Sequence, residues 1–166
     1  MKSLDMPLTS SDLEDFLKKT GVEYRIFFHG ETYSAEKASK ELGVSLEKIA
    51  KTIVFINERG EPLLVIMPGG YKVNQDKLAK MLGFKKLRLA TPEEVLNHTG
   101  YEAGGVPPVG HLKQIPSIVE ESLLSEDRVH AGGGAVNATL EISPRDIVRI
   151  LNAKVMSIPS SPKKTG

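Results

Sequence analysis

Cysteine is absent from the 166 residues. That excludes disulfides, thiolate metal sites and a cysteine nucleophile, and it fits a cytoplasmic setting. No apolar run approaches the ~18 residues of a membrane span. The opening MKSLDMPLTSSDLEDF has early acids and no apolar h-region, so it does not read as a secretory leader. Charge of one sign is not in excess: 22 basic against 21 acidic side chains leave a net charge of +1. Any hold on nucleic acid must therefore rest on a local patch. The histidines, His29, His98, His111 and His130, are too scattered for a local metal motif, and no metal or other cofactor is expected. There is no G-x-S-x-G elbow and no G-x-x-x-x-G-K-[ST] loop. GGGAVNA at 132–138 leads into ATLEIS, which alternates like a strand instead of opening a helix, and this argues against a dinucleotide site.

What remains is an ordinary globular composition, 40% apolar and 26% charged, in one domain's length of chain spanning 1–166. SSDLEDFLKKTG reads as a helix with Leu13, Phe16 and Leu17 on one face and Gly21 as its stop. VEYRIFFH reads as a strand. SAEKASKELG is a second helix begun by Ser34. KTIVFIN and PLLVIMP form an apolar hairpin turning near Arg59–Gly60, central to the sheet. NQDKLAKMLG is a helix capped by Asn74 with Leu78, Met81 and Leu82 inward. TPEEVLNHTG carries Thr91 as cap, Pro92 at the first helical position and Glu94 at the third. KQIP is a candidate short strand. SEDRVHAGGG and NATLEIS are two strands around a glycine bend, SPRDIVRILN is a last helix capped by Ser143, and SIPSSPKKTG reads as a frayed end. The expected fold class is mixed α/β (α+β), a curved, largely antiparallel sheet flanked by helices.

Two stretches stand out. GGVPPVGH, residues 104–111, combines prolines that fix φ and lack an N–H with glycines that let other groups approach the main chain. It describes a rigid loop presenting backbone. Between Tyr71 and Arg88, Lys72, Lys77, Lys80, Lys85, Lys86 and Arg88 face only Asp76. This is either a solvated surface or a phosphate-contacting one.

IAKTIVF (49–55), GYEAGGVPPVGH (100–111) and HAGGGAVNATLEISPRDI (130–147) stand in one order and spacing. Together they resemble the YbaK-like aminoacyl-tRNA deacylases, related to the editing domain inserted in bacterial prolyl-tRNA synthetases. The likeness covers roughly residues 20–152. It implies hydrolysis of the ester joining a wrong, small amino acid (Cys, Ala, Ser or Thr) to tRNA, most often tRNA specific for proline. The family's lysine falls on Lys51, followed by Thr52, and its G-x-x-x-P loop on Gly104 to Pro108. Gly132, Gly133 and Gly134 sit at its second glycine loop.

The resemblance makes Lys51, Gly104 and Gly105 the candidate catalytic residues. Thr52, His29, Val106, Pro107, Pro108, Gly110, His111 and the three glycines are candidate substrate contacts. Lys72 to Arg88 become the candidate surface for the acceptor arm. Lys51 would grip the ribose or phosphate end or polarise the ester, and main-chain N–H groups of Gly105, Val109 or Gly110, or loop carbonyls, would hold the rest. His111 either touches substrate or braces its loop; His130 and His98 read as structural. Expected partners are the aminoacylated tRNA 3′ end and an aminoacyl-tRNA synthetase, with no membrane. A tRNA- or synthetase-binding module without catalysis, and a small-ester hydrolase, are the competing readings.

Overall fold

The computed structural model describes residues 6–30 and 35–163. Helix α1 (Ser10–Thr20) begins at Thr9, whose side chain and that of Asp12 cap each other's backbone, and stops at Gly21 with φ 75°. Strand β1 (Tyr24–Phe28), helix α2 (Ala35–Leu42) and a 3-10 turn lead into β2 (Ile49–Asn57) and β3 (Pro62–Pro68). The expected start of α2 at Ser34 lies outside the described residues. Then follow β4 (Tyr71–Val73), α3 (Gln75–Leu82), β5 (Leu87–Leu89) and α4 (Pro92–Thr99). Beyond the Gly/Pro loop come β6 (Ser117–Glu120), β7 (Val129–Gly132), β8 (Ala138–Ile142), α5 (Pro144–Leu151), β9 (Lys154–Met156) and β10 (Ser160–Pro162).

The main sheet runs β1-β8-β7-β2-β3-β6-β9, with β5 also beside β2; β4 and β10 form a separate ribbon. The β2–β3 hairpin is central, as its two-sided apolarity predicts. Val54, Ile56, Leu64 and Ile66 face one core with Leu13 and Leu17 of α1 and Ile147 of α5. Phe55, Leu63, Val65 and Met67 face a second core with Leu78 of α3. Pairings β1–β8, β7–β8, β2–β3 and β2–β5 are antiparallel, while β2–β7, β3–β6 and β6–β9 are parallel. Among the described residues no helix is long and apolar enough to cross a membrane.

Three local expectations are corrected. The strand expected at KQIP lies one step later, at Ser117–Glu120: Pro116 has no N–H for a ladder, and it contributes only its carbonyl, which accepts from the Leu64 N–H at 2.9 Å. Met81 is 52% exposed because the buried stripe of α3 passes through Leu78 and Ala79. The tail is not frayed through Lys163: β10 pairs with β4, setting Ser160 opposite Val73 and Pro162 opposite Tyr71. Buried Ile158 anchors the approach, its N–H donating to Glu120 Oε1 at 2.9 Å.

Tyr101, at the end of the α4 cap, is wholly buried, and its hydroxyl has no partner among the described residues. Burial, then the Asp12 charge, pushes its ionisation up, so the orphan is a neutral phenol. Tyr101→Phe keeps the ring and removes the unsatisfied group. It is expected to raise stability by roughly 1 kcal/mol in thermal denaturation; a clear loss would show that the hydroxyl is satisfied in solution.

Candidate active site

The central strand β2 is only partly covered along one edge. It pairs with β7 through Ile49 and Ala50 and with β5 through Phe55 to Asn57. Between these, at Lys51 to Val54, the sheet forks. Strand alternation fixes which groups face the fork. The Ile49 carbonyl points toward β3, since it accepts from the Gly69 N–H, whereas the Val54 carbonyl points the other way and accepts from the Ala90 N–H. The main-chain N–H and C=O of Thr52 therefore face the opening. The Thr52 hydroxyl is also buried, without a partner among the described residues.

A cavity of about 480 Å³ occupies this fork. That size suits a small organic ligand. Its lining brings together Lys51, Thr52, Lys72, Gly104, Val106 and Gly132 with apolar residues such as Ala35, Ala38, Leu42, Ile53 and Phe55. Among the described residues no Asp or Glu lines it, and no group of three His, Cys, Asp or Glu is placed to hold a metal ion.

One wall is backbone packed on backbone. An alanine Cβ at Gly132 would lie 2.2 Å from the Val106 carbonyl oxygen, and one at Gly105 would lie 2.8 Å from the main chain of Ala135. The Gly134 N–H donates to the Gly105 carbonyl at 2.9 Å. Ser10, at the start of α1, donates its hydroxyl to the Gly133 carbonyl at 2.6 Å. Only glycine permits this approach. Gly104 itself takes φ 94°, a left-handed conformation that places the loop's first residue at the cavity.

Behind this wall lie residues expected to touch substrate that the structure keeps off the cavity lining. Pro107, Pro108 and Val109 are buried, and Gly110 packs on Leu13 and Phe16 of α1. His111 donates from Nε2 to the Pro107 carbonyl at 2.7 Å. Burial pushes its ring below the usual histidine range against the opposing effect of that bond, so it is a neutral brace. The Gly105 N–H, expected as an oxyanion donor, is engaged by the Glu102 carbonyl at 3.2 Å. The N–H groups of Gly104 and Val106, by contrast, have no partner among the described residues.

Lys51 is half-buried and donates to the Tyr71 carbonyl at 3.3 Å. Burial foremost, and then the neighbouring Lys163 ammonium, push its pKa down to about 8. His29 does not line the cavity; its Nε2 meets the hydroxyl of Thr139, which does, at 2.7 Å. Its Nδ1 donates to the Gly30 carbonyl at 2.5 Å, so Nε2 is left as the acceptor of the Thr139 proton.

Of the six basic residues from 72 to 88, only Lys72 lines the cavity. Lys77, Lys80, Lys85 and Lys86 are exposed elsewhere. Arg88 is tied to Glu94 by two bonds of 2.7 and 2.9 Å. With the Thr91 backbone these hold the Glu94 carboxyl at about 2, so the charge of Arg88 is already matched.

Lining residues not expected from the sequence include Thr139, His130 and Lys163. The β7–β8 register sets His130 opposite Glu141 and Gly132 opposite Thr139, on one face. His130 Nε2 lies 3.3 Å from Glu141 Oε2, and its Nδ1 has no partner among the described residues. The alternation of NATLEIS carried this signal for Thr139. Nothing local marks Lys163, which reaches the site through the ribbon.

Residues 29–150 match a family model described as the aminoacyl-tRNA editing domain. The protein of Bacillus subtilis named "Uncharacterized protein YwhH" is 32% identical over 128 residues, 77% of this chain and 81% of that one. An Enterococcus faecalis protein named "Putative Cys-tRNA(Pro)/Cys-tRNA(Cys) deacylase EbsC" is 28% identical over 136 residues, 82% of this chain and 83% of its own. A crystal structure described as "a putative trans-editing enzyme for prolyl tRNA synthetase" superposes with a TM-score of 0.81 at 29% identity, covering 92% of this chain and 97% of that one.

Proposed function

The chain belongs to the aminoacyl-tRNA editing domain family, and on that premise we propose that it acts in the cytoplasm as a free-standing deacylase. Its substrate is tRNA carrying a wrong, small amino acid, with tRNA specific for proline preferred and a prolyl-tRNA synthetase as the enzyme whose errors it clears. The observation that carries this reading is the convergence of Lys51 with the main chain of Gly104, Val106 and Gly132 around one cavity.

The chemistry asked of such a site is modest. The ester carbonyl carbon takes up a water oxygen, charge develops on the carbonyl oxygen, and the bond to the ribose oxygen breaks. That ribose oxygen ends with a proton, and the free amino acid leaves. The unpartnered N–H groups of Gly104 and Val106 are fixed donors for the developing oxyanion, and their wall cannot relax during the reaction. The Lys51 ammonium holds the ribose-ester end and adds to that stabilisation. The Thr139 hydroxyl, oriented by His29, is the polar group placed to hold the water.

Selectivity follows from the lining. Ala35, Ala38, Leu42 and Ile53 offer an apolar surface, and among the described residues no carboxylate lines it, which favours small uncharged acyl groups over cationic ones. With mischarged tRNA specific for proline, release is expected to be fastest for cysteinyl or alanyl esters and slower for seryl and threonyl ones. A panel measuring amino acid released from each tests this. Binding of tRNA with no release across the panel would instead support a module without catalysis.

A further inference from the structure

Lys163 lies beyond the residues 29–150 matched by the family model, yet its side chain lines the cavity with Lys51 and Lys72. Two backbone features put it there. Pro162 pairs with Tyr71 in the β4–β10 ribbon, and the Lys163 N–H donates to the Gly70 carbonyl at 2.9 Å. Its Nζ lies 3.3 Å from Glu36 Oε1. Three ammonium groups thus share the lining, and the carboxylate in contact with Lys163 is that of Glu36. The Lys163 charge is felt by Lys51, whose ionisation it helps to depress. Glu36 contacts Lys163, yet the net effect on Lys51 is still a lowered pKa, so the cluster of like charges in this partly desolvated site favours a further anion.

We infer that β10 carries Lys163 to the mouth of the cavity as a phosphodiester-binding residue. With Lys72 it grips the nucleic-acid backbone phosphate next to the ester-bearing terminal ribose. This rests on the deacylase reading for the identity of the substrate. An aminoacyl ester has no free carboxylate, and its acyl end carries an α-amino group that lysines repel when protonated. Its negative charge is all on the phosphates. Lysine ammoniums therefore fix the orientation, with phosphate at the basic rim and the acyl group toward the apolar lining. A compact point charge on a flexible stem suits a phosphate oxygen.

The test is binding of uncharged tRNA by fluorescence anisotropy at several salt concentrations, for wild type, Lys163→Ala, Lys163→Arg and Glu36→Gln. Lys163→Ala is expected to weaken binding about tenfold and to reduce the salt slope by about one. Lys163→Arg is expected to restore most of the affinity, and Glu36→Gln, which frees Lys163 from its carboxylate, to tighten binding. Wild-type affinity and salt slope in Lys163→Ala would overturn the assignment. So would an equal drop in melting temperature for Lys163→Ala and Glu36→Gln with binding unchanged, because Lys163 would then serve only a structural ion pair. If wild type releases no amino acid from any mischarged tRNA while Lys163→Ala still weakens tRNA binding, the deacylase reading fails and the phosphate contact stands.

Discussion

Lys51→Ala is expected to lower kcat/KM for ester cleavage by about 10²–10³-fold while leaving the melting temperature unchanged or higher. The two outcomes come from the same desolvation. The Lys51 ammonium is half-buried at the fork of the sheet, near Lys163, and its pKa is pushed down to about 8. The unfolded chain holds that proton up to about 10.4. Between these values the unfolded state binds more protons, so this group makes stability rise with pH across that window. Below about 8 its penalty on the folded state is fully present. Removing the amine at pH 7 relieves that penalty, and Lys51→Met, which keeps most of the stem, should show the relief best. The same ionisation shapes activity: if the cation is the working form, the enzymatic rate, corrected for spontaneous hydrolysis, falls as pH rises through about 8. A rate that climbs there would mean that the neutral amine acts as a base. A melting temperature lowered in step with activity would make Lys51 a structural residue.

Gly132→Ala is the second large effect. A Cβ there would sit 2.2 Å from the Val106 carbonyl oxygen and 2.8 Å from its carbonyl carbon. Those atoms are backbone in a loop stiffened by Pro107 and Pro108 and braced by His111, so no flexible side chain can yield. Relief needs a shift of roughly 1 Å, enough to misplace the Gly104 and Val106 N–H groups and cost about 10²-fold in kcat/KM, with about 1–3 kcal/mol of stability. Gly83→Ala is the control. Its φ of 79° carries strain of about 1 kcal/mol, but a Cβ there meets nothing within 4 Å, and it lies off the cavity lining. It should lose stability and keep activity. Equal activity losses in the two variants would mean that Gly132 acts through general destabilisation and not through the wall.

Much of this was legible locally. Asn74, Thr91 and Ser143 announce their helices because capping is settled within four residues, and each side chain accepts the expected backbone N–H. The apolar alternation of β2 and β3 puts them at the centre because both faces need covering. The glycine loops were legible as main-chain surfaces, but which N–H groups remain unpaired was not. That depends on Glu102 claiming Gly105 and on β7 pressing Val106. Pro107 and Pro108 are expected as substrate contacts, but a rigid loop need not be an exposed one, and of the two roles open to His111 the structure shows the brace. Their task is to hold the wall from behind. The fork in β2 arises from two partners, β7 and β5, distant in sequence. Lys163 looked like tail because a three-residue ribbon gains its order only from β4.

The central claim is that this cleft, gripping an acylated ribose between Lys51 and a glycine wall, cleaves the ester. The most direct measurement is the time course of amino acid release from cysteinyl- and alanyl-tRNA specific for proline, with wild type and Lys51→Ala side by side. Complete release by wild type is expected, with the variant close to the spontaneous rate. Equal release by both proteins, or none above the spontaneous rate by wild type, would contradict it.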